Sequence, residues 1–265
     1  MLVNPFLPRE VEGALRPMLM ALTFLLSGCA TMMMPAVNPM VEVDDDFKGR
    51  AKCLVVFLPG VGDTATDFEE KGFVDSIRNR GLSVDLISAQ ATYSYYAKGT
   101  VVERLGEDVF QPAKAKRYRE TWLIGLSMGG LGTLMYSHDH PKEITGVLAL
   151  APFLGVHPVA AKIRAEGGLA KWKAPEKVEV KDEDTTILEL WRWLQALTAG
   201  KEKGPRLYLG WGTEDELLSE SNEVLATALP MKRKFPVPGG HKWTAWKQAL
   251  DQFLDDSDFR KGCGR

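Results

Sequence analysis

The sequence predicts an α/β fold with a mostly parallel central sheet covered by helices on both faces. Two observations carry that expectation. Short, continuous apolar runs recur along the chain, notably Cys53–Leu58, Trp122–Ile124, Ile144–Ala151 and Arg206–Trp211, and such runs suit strands buried on both faces. Stretches with helical patterning alternate with them, which is the rhythm of βαβ units. With 265 residues, of which 45% are hydrophobic, the chain is long enough for one large core. A formal net charge of −2 gives no sign of a nucleic-acid partner. There is no repeat, P-loop or dinucleotide fingerprint.

Met1–Ala30 reads as an export signal. Arg9 and Arg16 precede an apolar run, Met18–Leu26, that is too short to span a bilayer. It ends Leu26-Ser27-Gly28-Cys29 and resembles a bacterial lipobox, in which the Cys is lipidated and becomes the mature N-terminus. The resemblance implies a signal peptide over 1–28, lipidation at Cys29 and an envelope protein anchored to a membrane. Ala30 in place of Asp leans toward the periplasmic side of the outer membrane. The stretch before Arg16 is unusually long, which leaves Met18 and Met20 open as starts of translation. Residues 29–47 have no strand or helix periodicity and are expected to tether the anchor to a domain over 48–265.

Cys53–Leu58 is the first expected strand, followed by Pro59-Gly60-Val61-Gly62. Asp63 or Thr64 suits the cap of a helix over Asp67–Arg80. Leu82–Ser88 is the next strand, and the loop Ala89–Gly99 carries Tyr93, Tyr95 and Tyr96. This loop lies where open α/β sheets bind ligands, so Tyr93 and Tyr95 are candidate pocket residues. A helix near Val101–Ala115 leads into the segment Thr121–Thr133.

That segment joins a strand, Trp122–Ile124, to a helix, Gly130–His138, through Gly125-Leu126-Ser127-Met128-Gly129. Strand, tight turn and helix is the setting in which G-x-S-x-G lifts a nucleophilic serine above the sheet edge. The glycines leave room for a strained turn. The amide of Met128 opens a helix whose N-terminus favours negative charge, so it is a candidate oxyanion donor.

Beyond the strand Ile144–Ala151, residues 152–204 break the rhythm and hold an apolar helix near Thr185–Thr198 with Trp191 and Trp193. Arg206–Trp211 is a strand followed by Gly212-Thr213-Glu214-Asp215, with Glu214 and Glu216 competing with Asp215 as a candidate acid. An Asp there also suits the cap of a helix over Glu216–Leu229. Lys232–Val237 is the last strand, and the Gly239-Gly240 pair lets the following loop carry His241 over the sheet edge. His138 and His140 fall at the far end of the serine helix, and His157 is the other histidine on the expected face. The final helix, Lys242–Asp255, has Trp243, Trp246, Leu250 and Phe253 at core spacing. Cys53 lies in a strand and Cys263 in a tail, so both are expected to be free.

The G-x-S-x-G turn, the Gly-x-x-Asp loop and the Gly-Gly-His loop, in that order, resemble the α/β-hydrolase family over Lys48–Asp256. The resemblance implies a serine hydrolase with Ser127 as nucleophile, His241 as base and Asp215 as acid, working without metal or organic cofactor. The loop after the first strand supplies the second oxyanion donor in that family. Its usual His-Gly start is Pro59-Gly60 here, so Val61 is the implied donor, with Gly62 next. Residues 152–204 resemble the family's lid, making Trp191 a further candidate substrate contact. A carboxylic ester of apolar character is the implied substrate. A thioesterase, peptidase or acyltransferase would use the same machinery, and a non-catalytic envelope binding protein would keep the fold alone.

Overall fold

In the computed structural model, the residues described are 34–264 apart from 38, 41, 156, 157 and 256. The expected signal peptide, Cys29 and His157 lie outside them. Seven strands form one sheet: β1 (Glu42–Asp45), β2 (Cys53–Leu58), β3 (Val84–Ala89), β4 (Glu120–Leu126), β5 (Gly146–Leu150), β6 (Arg206–Gly212) and β7 (Lys234–Val237). Their order across the sheet is β1-β3-β2-β4-β5-β6-β7, and every pairing is parallel except β1 with β3. β2 and β5 are buried along their whole length, as expected for strands covered on both faces. The chain runs from β2 to β3 on one side and returns to place β4 on the other. The C-terminal ends of β2 and β4 therefore flank the switch point where open α/β sheets form their clefts.

The helix Met128–Asp139 packs on β2, β4 and β5 and meets the helices Val101–Arg104 and Glu183–Thr198. The helix Trp243–Leu254 packs on β6 and β7 and meets the helices Phe73–Arg78 and Ser257–Cys263. The expected helix over 67–80 is interrupted: Gly72 takes the left-handed conformation (φ 77°) and divides it into Asp67–Glu70 and Phe73–Arg78. The helix expected over 101–115 opens, after Val101–Arg104, into a wide turn over Leu105–Phe110.

Two expectations about the chain ends are corrected. Within the stretch read as a tether, β1 adds to the sheet, with Glu42 opposite Ala89 and Asp45 opposite Leu86. Arg78 holds it from below, its Nη2 donating to Asp45 Oδ1 at 2.8 Å and to the Asp45 carbonyl at 2.6 Å. Asp108 accepts the amide of Met40 at 2.7 Å. An acidic four-residue strand has neither the β-branched composition nor the alternation that announces a strand. It forms because β3 offers an unpaired edge.

Cys53 and Cys263 are joined in a disulfide, with Cα atoms 5.5 Å apart, where free thiols were expected. The tail is a helix, Ser257–Cys263. Phe259 meets the ring of Trp122 edge-on at 4.9 Å and lies 5.1 Å from Phe253, contacts that contribute about 0.5–1.5 kcal/mol each beyond burial. The Cys263 carbonyl also accepts the Ser83 amide at 2.8 Å. These contacts bring Cys263 to the start of β2. Among the described residues, no helix is long and apolar enough to cross a membrane.

Candidate active site

Four loops leave the C-terminal ends of β2, β4, β6 and β7 along one edge of the sheet, and they carry Val61, Ser127, Asp215 and His241 in turn. Ser127 sits between β4 and the helix Met128–Asp139 at φ 52°, ψ −111°, a conformation that costs a non-glycine residue about 1–3 kcal/mol. Three backbone hydrogen bonds hold it there. Its amide donates to the Leu150 carbonyl at 2.9 Å, and its carbonyl accepts the amides of Phe153 at 2.9 Å and Leu131 at 3.1 Å.

The two glycines of the motif are required by contact. A methyl group on Gly129 would lie 2.1 Å from the Leu58 carbonyl oxygen and 2.5 Å from that of Pro59. Their absence lets the start of the helix press against the loop after β2. That loop passes beside the serine: a methyl on Gly60 would stand 3.6 Å from Ser127 Cβ. Val61 is the next residue and is 41% exposed. Met128 opens the helix, where first-turn amides have no partner within the helix.

The acid loop and the histidine loop are clasped together. The amide of Thr213 donates to the Val237 carbonyl at 2.8 Å, and that of Glu214 to the Gly239 carbonyl at 2.9 Å. Any side chain on Gly212 would collide with this clasp, 2.2 Å from the Gly239 oxygen. Gly239 itself takes φ 114°, open in practice only to glycine. The result is one line of contacts. His241 Nε2 is 2.9 Å from Ser127 Oγ, and His241 Nδ1 is 2.7 Å from Asp215 Oδ2.

Asp215 is 1% exposed, whereas Glu214 and Glu216 are exposed and stand apart from this line. Its second oxygen, Oδ1, accepts the amides of Leu217 and Leu218 at 3.0 Å each. One carboxylate thus meets the imidazole and caps the chain entering the helix Ser219–Thr227. Burial works against its ionisation. The His241 hydrogen bond and charge and the two amides outweigh that, and the carboxyl stays below its ordinary pKa. The His241 ring stands edge-on to Trp246, with centroids 4.9 Å apart.

Two of the three aromatic pocket candidates are fully buried. Tyr95 is 1% exposed. Its hydroxyl donates to the Val37 carbonyl at 2.7 Å and accepts the Val37 amide at 3.0 Å, so it anchors the segment before β1. Trp191 is 0% exposed, and its indole N–H donates to the Leu154 carbonyl at 3.2 Å. Both are core residues, because an aromatic that satisfies its polar atom on backbone is better buried than left lining a cleft. Tyr93 is half-buried against the same core. His138 pairs with Asp139 at the far end of the serine helix. Among the described residues, the one three-donor cluster, Cys53, Glu120 and Cys263, has its two sulfurs in the disulfide, at the start of β2 and away from the site.

Sequence reasoning passed over Asp63 except as a helix cap. Its Oδ1 accepts the indole N–H of Trp243 at 3.0 Å. Burial pushes its carboxyl pKa up, against the Trp243 hydrogen bond and the Gly60 amide. The Gly-x-Gly-Asp run after a buried strand was the available signal.

Comparison with known proteins agrees with this architecture. Est1E from Butyrivibrio proteoclasticus superposes with a TM-score of 0.56 at 14% identity, covering 81% of this chain and 93% of its own. An S-formylglutathione hydrolase (FrmB) from Staphylococcus aureus gives a TM-score of 0.53 at 12% identity, covering 83% and 96%. The fluorophosphonate-binding serine hydrolase FphF from the same organism gives 0.53 at 13%, covering 82% and 98%. At these identities the likeness speaks for the fold. No curated protein matches the sequence. The sequence model of the Esterase family, however, matches residues 68–256, a span that holds Ser127, Asp215 and His241, and the chain therefore belongs to the Esterase family, on an α/β-hydrolase fold.

Proposed function

We propose that the protein is a serine hydrolase that cleaves carboxylic esters through Ser127, His241 and Asp215 and a covalent acyl-enzyme. The observation that carries this reading is the unbroken line from Ser127 Oγ through the imidazole to Asp215, at 2.9 and 2.7 Å. Ser127 Oγ attacks the carbonyl carbon while His241 Nε2 takes its proton. The tetrahedral oxyanion is held by the amides of Met128 and Val61. Collapse breaks the bond to the leaving alcohol, which receives the proton from His241. Water then repeats the sequence on the acyl-enzyme. Asp215 keeps Nδ1 protonated and stabilises the imidazolium.

The substrate class in best accord with the chain is a short or medium ester of apolar character, with 152–204 acting as a lid. Membership of the Esterase family supports ester chemistry, and the binding of fluorophosphonate by FphF supports the choice of probe. We further propose export and lipidation at Cys29, with the domain held on the periplasmic side of the outer membrane. A disulfide between Cys53 and Cys263 accords with an oxidising compartment.

The test is labelling by a fluorophosphonate, wild type against Ser127→Ala, followed by p-nitrophenyl esters of increasing chain length. Labelling of the wild type alone is the expected result, with an optimum at short or medium chains. A folded wild type that takes no label defeats the proposal. Incorporation of an alkyne fatty acid in cells, lost in Cys29→Ser, tests the anchor.

A further inference from the structure

One carboxylate joins the loop after β2 to the helix that follows His241. Asp63 Oδ1 accepts the Trp243 indole N–H at 3.0 Å. Its other oxygen lies over Gly60: a methyl there would be 2.8 Å from Asp63 Oδ2 and 3.6 Å from Ser127 Cβ. The amide of Asp63 closes the turn onto the Gly60 carbonyl at 3.3 Å. Gly60 is thus enclosed between Asp63 and the serine. On the other side, Trp243 meets Trp246 at 5.8 Å, and Trp246 meets the His241 ring at 4.9 Å. Phe68 and Phe73 stand edge-on to Trp243 at 5.3 and 5.2 Å and fix the indole. Nearby Asp67 is turned to the amide and hydroxyl of Thr64, so the link depends on Asp63.

Resting on the serine-hydrolase reading above, we infer that Asp63 is a positioning residue: through Trp243 it sets the Pro59–Gly62 loop, and with it the Val61 amide, against both Ser127 and His241. The need is physical. An oxyanion donor works only within about 2.7–3.1 Å of where the oxygen will be. The loop contains two glycines, with Gly62 at φ 85°, and glycines alone do not hold one setting. A half-buried carboxylate with an N–H partner from a second element does. Asp63 itself touches no reacting atom. Loss of the link weakens an interaction made in the transition state, so it falls on kcat rather than KM.

The test uses the whole chain, with Asp63→Asn, Trp243→Phe and the double variant. Each is measured for kcat and KM on p-nitrophenyl butyrate, fluorophosphonate labelling rate, and Tm. Asn keeps the shape but turns an NH2 group toward either the Gly60 amide or the indole. We expect D63N to lose about 10–100-fold in kcat and in labelling rate, with KM within about twofold. W243F should lose less, and the double variant no more than D63N. The inference is overturned by D63N turning over at the wild-type rate, by losses that multiply in the double variant, or by a fall in kcat that only follows a fall in Tm with rising KM. Should D63N fail to fold, W243F alone with wild-type kcat overturns it. A folded wild type that neither labels nor turns over overturns the hydrolase reading itself, so the two failures are distinct.

Discussion

Gly125 and Gly129 face each other across the turn that carries Ser127: a methyl on Gly125 would come within 2.2 Å of the Gly129 carbonyl oxygen. The distance leaves no side chain a place on Gly125, and Gly129 is closed to one by Leu58 and Pro59. The serine's strained backbone is therefore sustained by rigid backbone neighbours that a flexible side chain cannot replace.

Gly129→Ala must push β2 and the serine helix apart. Overpacking of this kind costs about 1–3 kcal/mol, occasionally more. The expected outcome is a lower Tm together with loss of fluorophosphonate labelling, because the shift falls on both amides proposed to hold the oxyanion, those of Met128 and Val61. Chemical denaturation and labelling on the same preparation check it.

Asp215→Asn keeps the outline of the side chain but removes its charge and favours the wrong imidazole tautomer. A drop in kcat of about 10³–10⁴ is expected, with KM little changed, measured by steady-state kinetics.

The same carboxylate makes stability depend on pH. Its folded pKa is lowered, so its contribution is fully present above the unfolded value of about 4 and is lost as pH falls through the depressed folded value. In thermal unfolding between about pH 3 and 7, the gap between wild type and D215N should narrow on the acid side. A gap that widens there contradicts the assignment.

Trp191→Ala should act on stability and not on specificity. The ring is fully buried, so its removal costs about 3–5 kcal/mol. The chain-length preference of the folded fraction should stay as in wild type. A shifted preference at wild-type stability would return Trp191 to the substrate pocket.

Reducing Cys53–Cys263 should lower stability by about 2–5 kcal/mol, given the long loop it closes. Cys53 begins β2 while the loop beside Ser127 follows the strand's other end, so kcat at moderate temperature should be unaffected. Urea denaturation with and without reductant, beside esterase assays, checks both halves.

The sequence made the interior strands legible because burial on both faces writes itself as unbroken apolar runs: β2 was read at its observed ends and β5 and β6 within two residues. Ser127, Asp215 and His241 were legible as positions for another reason. Each follows the C-terminal end of a strand in a loop whose glycines the geometry demands. β1 was missed because its pairing is owed to a free edge on β3 and not to its own acidic residues. The break at Gly72 is a local backbone choice that a helical pattern overrides on paper. The roles of Tyr95 and Trp191 turned on which way a ring faces, which aromatic identity does not encode. The cysteine pairing depended on a terminal helix folding back across 210 positions of chain, a separation at which sequence neighbours say nothing.

That pairing has a topological consequence. Cys53 and Cys263 close the polypeptide into a covalent ring, and Asp63, Ser127, Asp215, His241 and Trp243 all lie on it. The exposed, irregular stretch around Glu176–Lys181 is where a protease would cut first. A single cut there opens the ring without dividing the molecule. The half bearing Ser127 stays bound to the half bearing Asp215 and His241, and the nicked enzyme runs as one band until it is reduced.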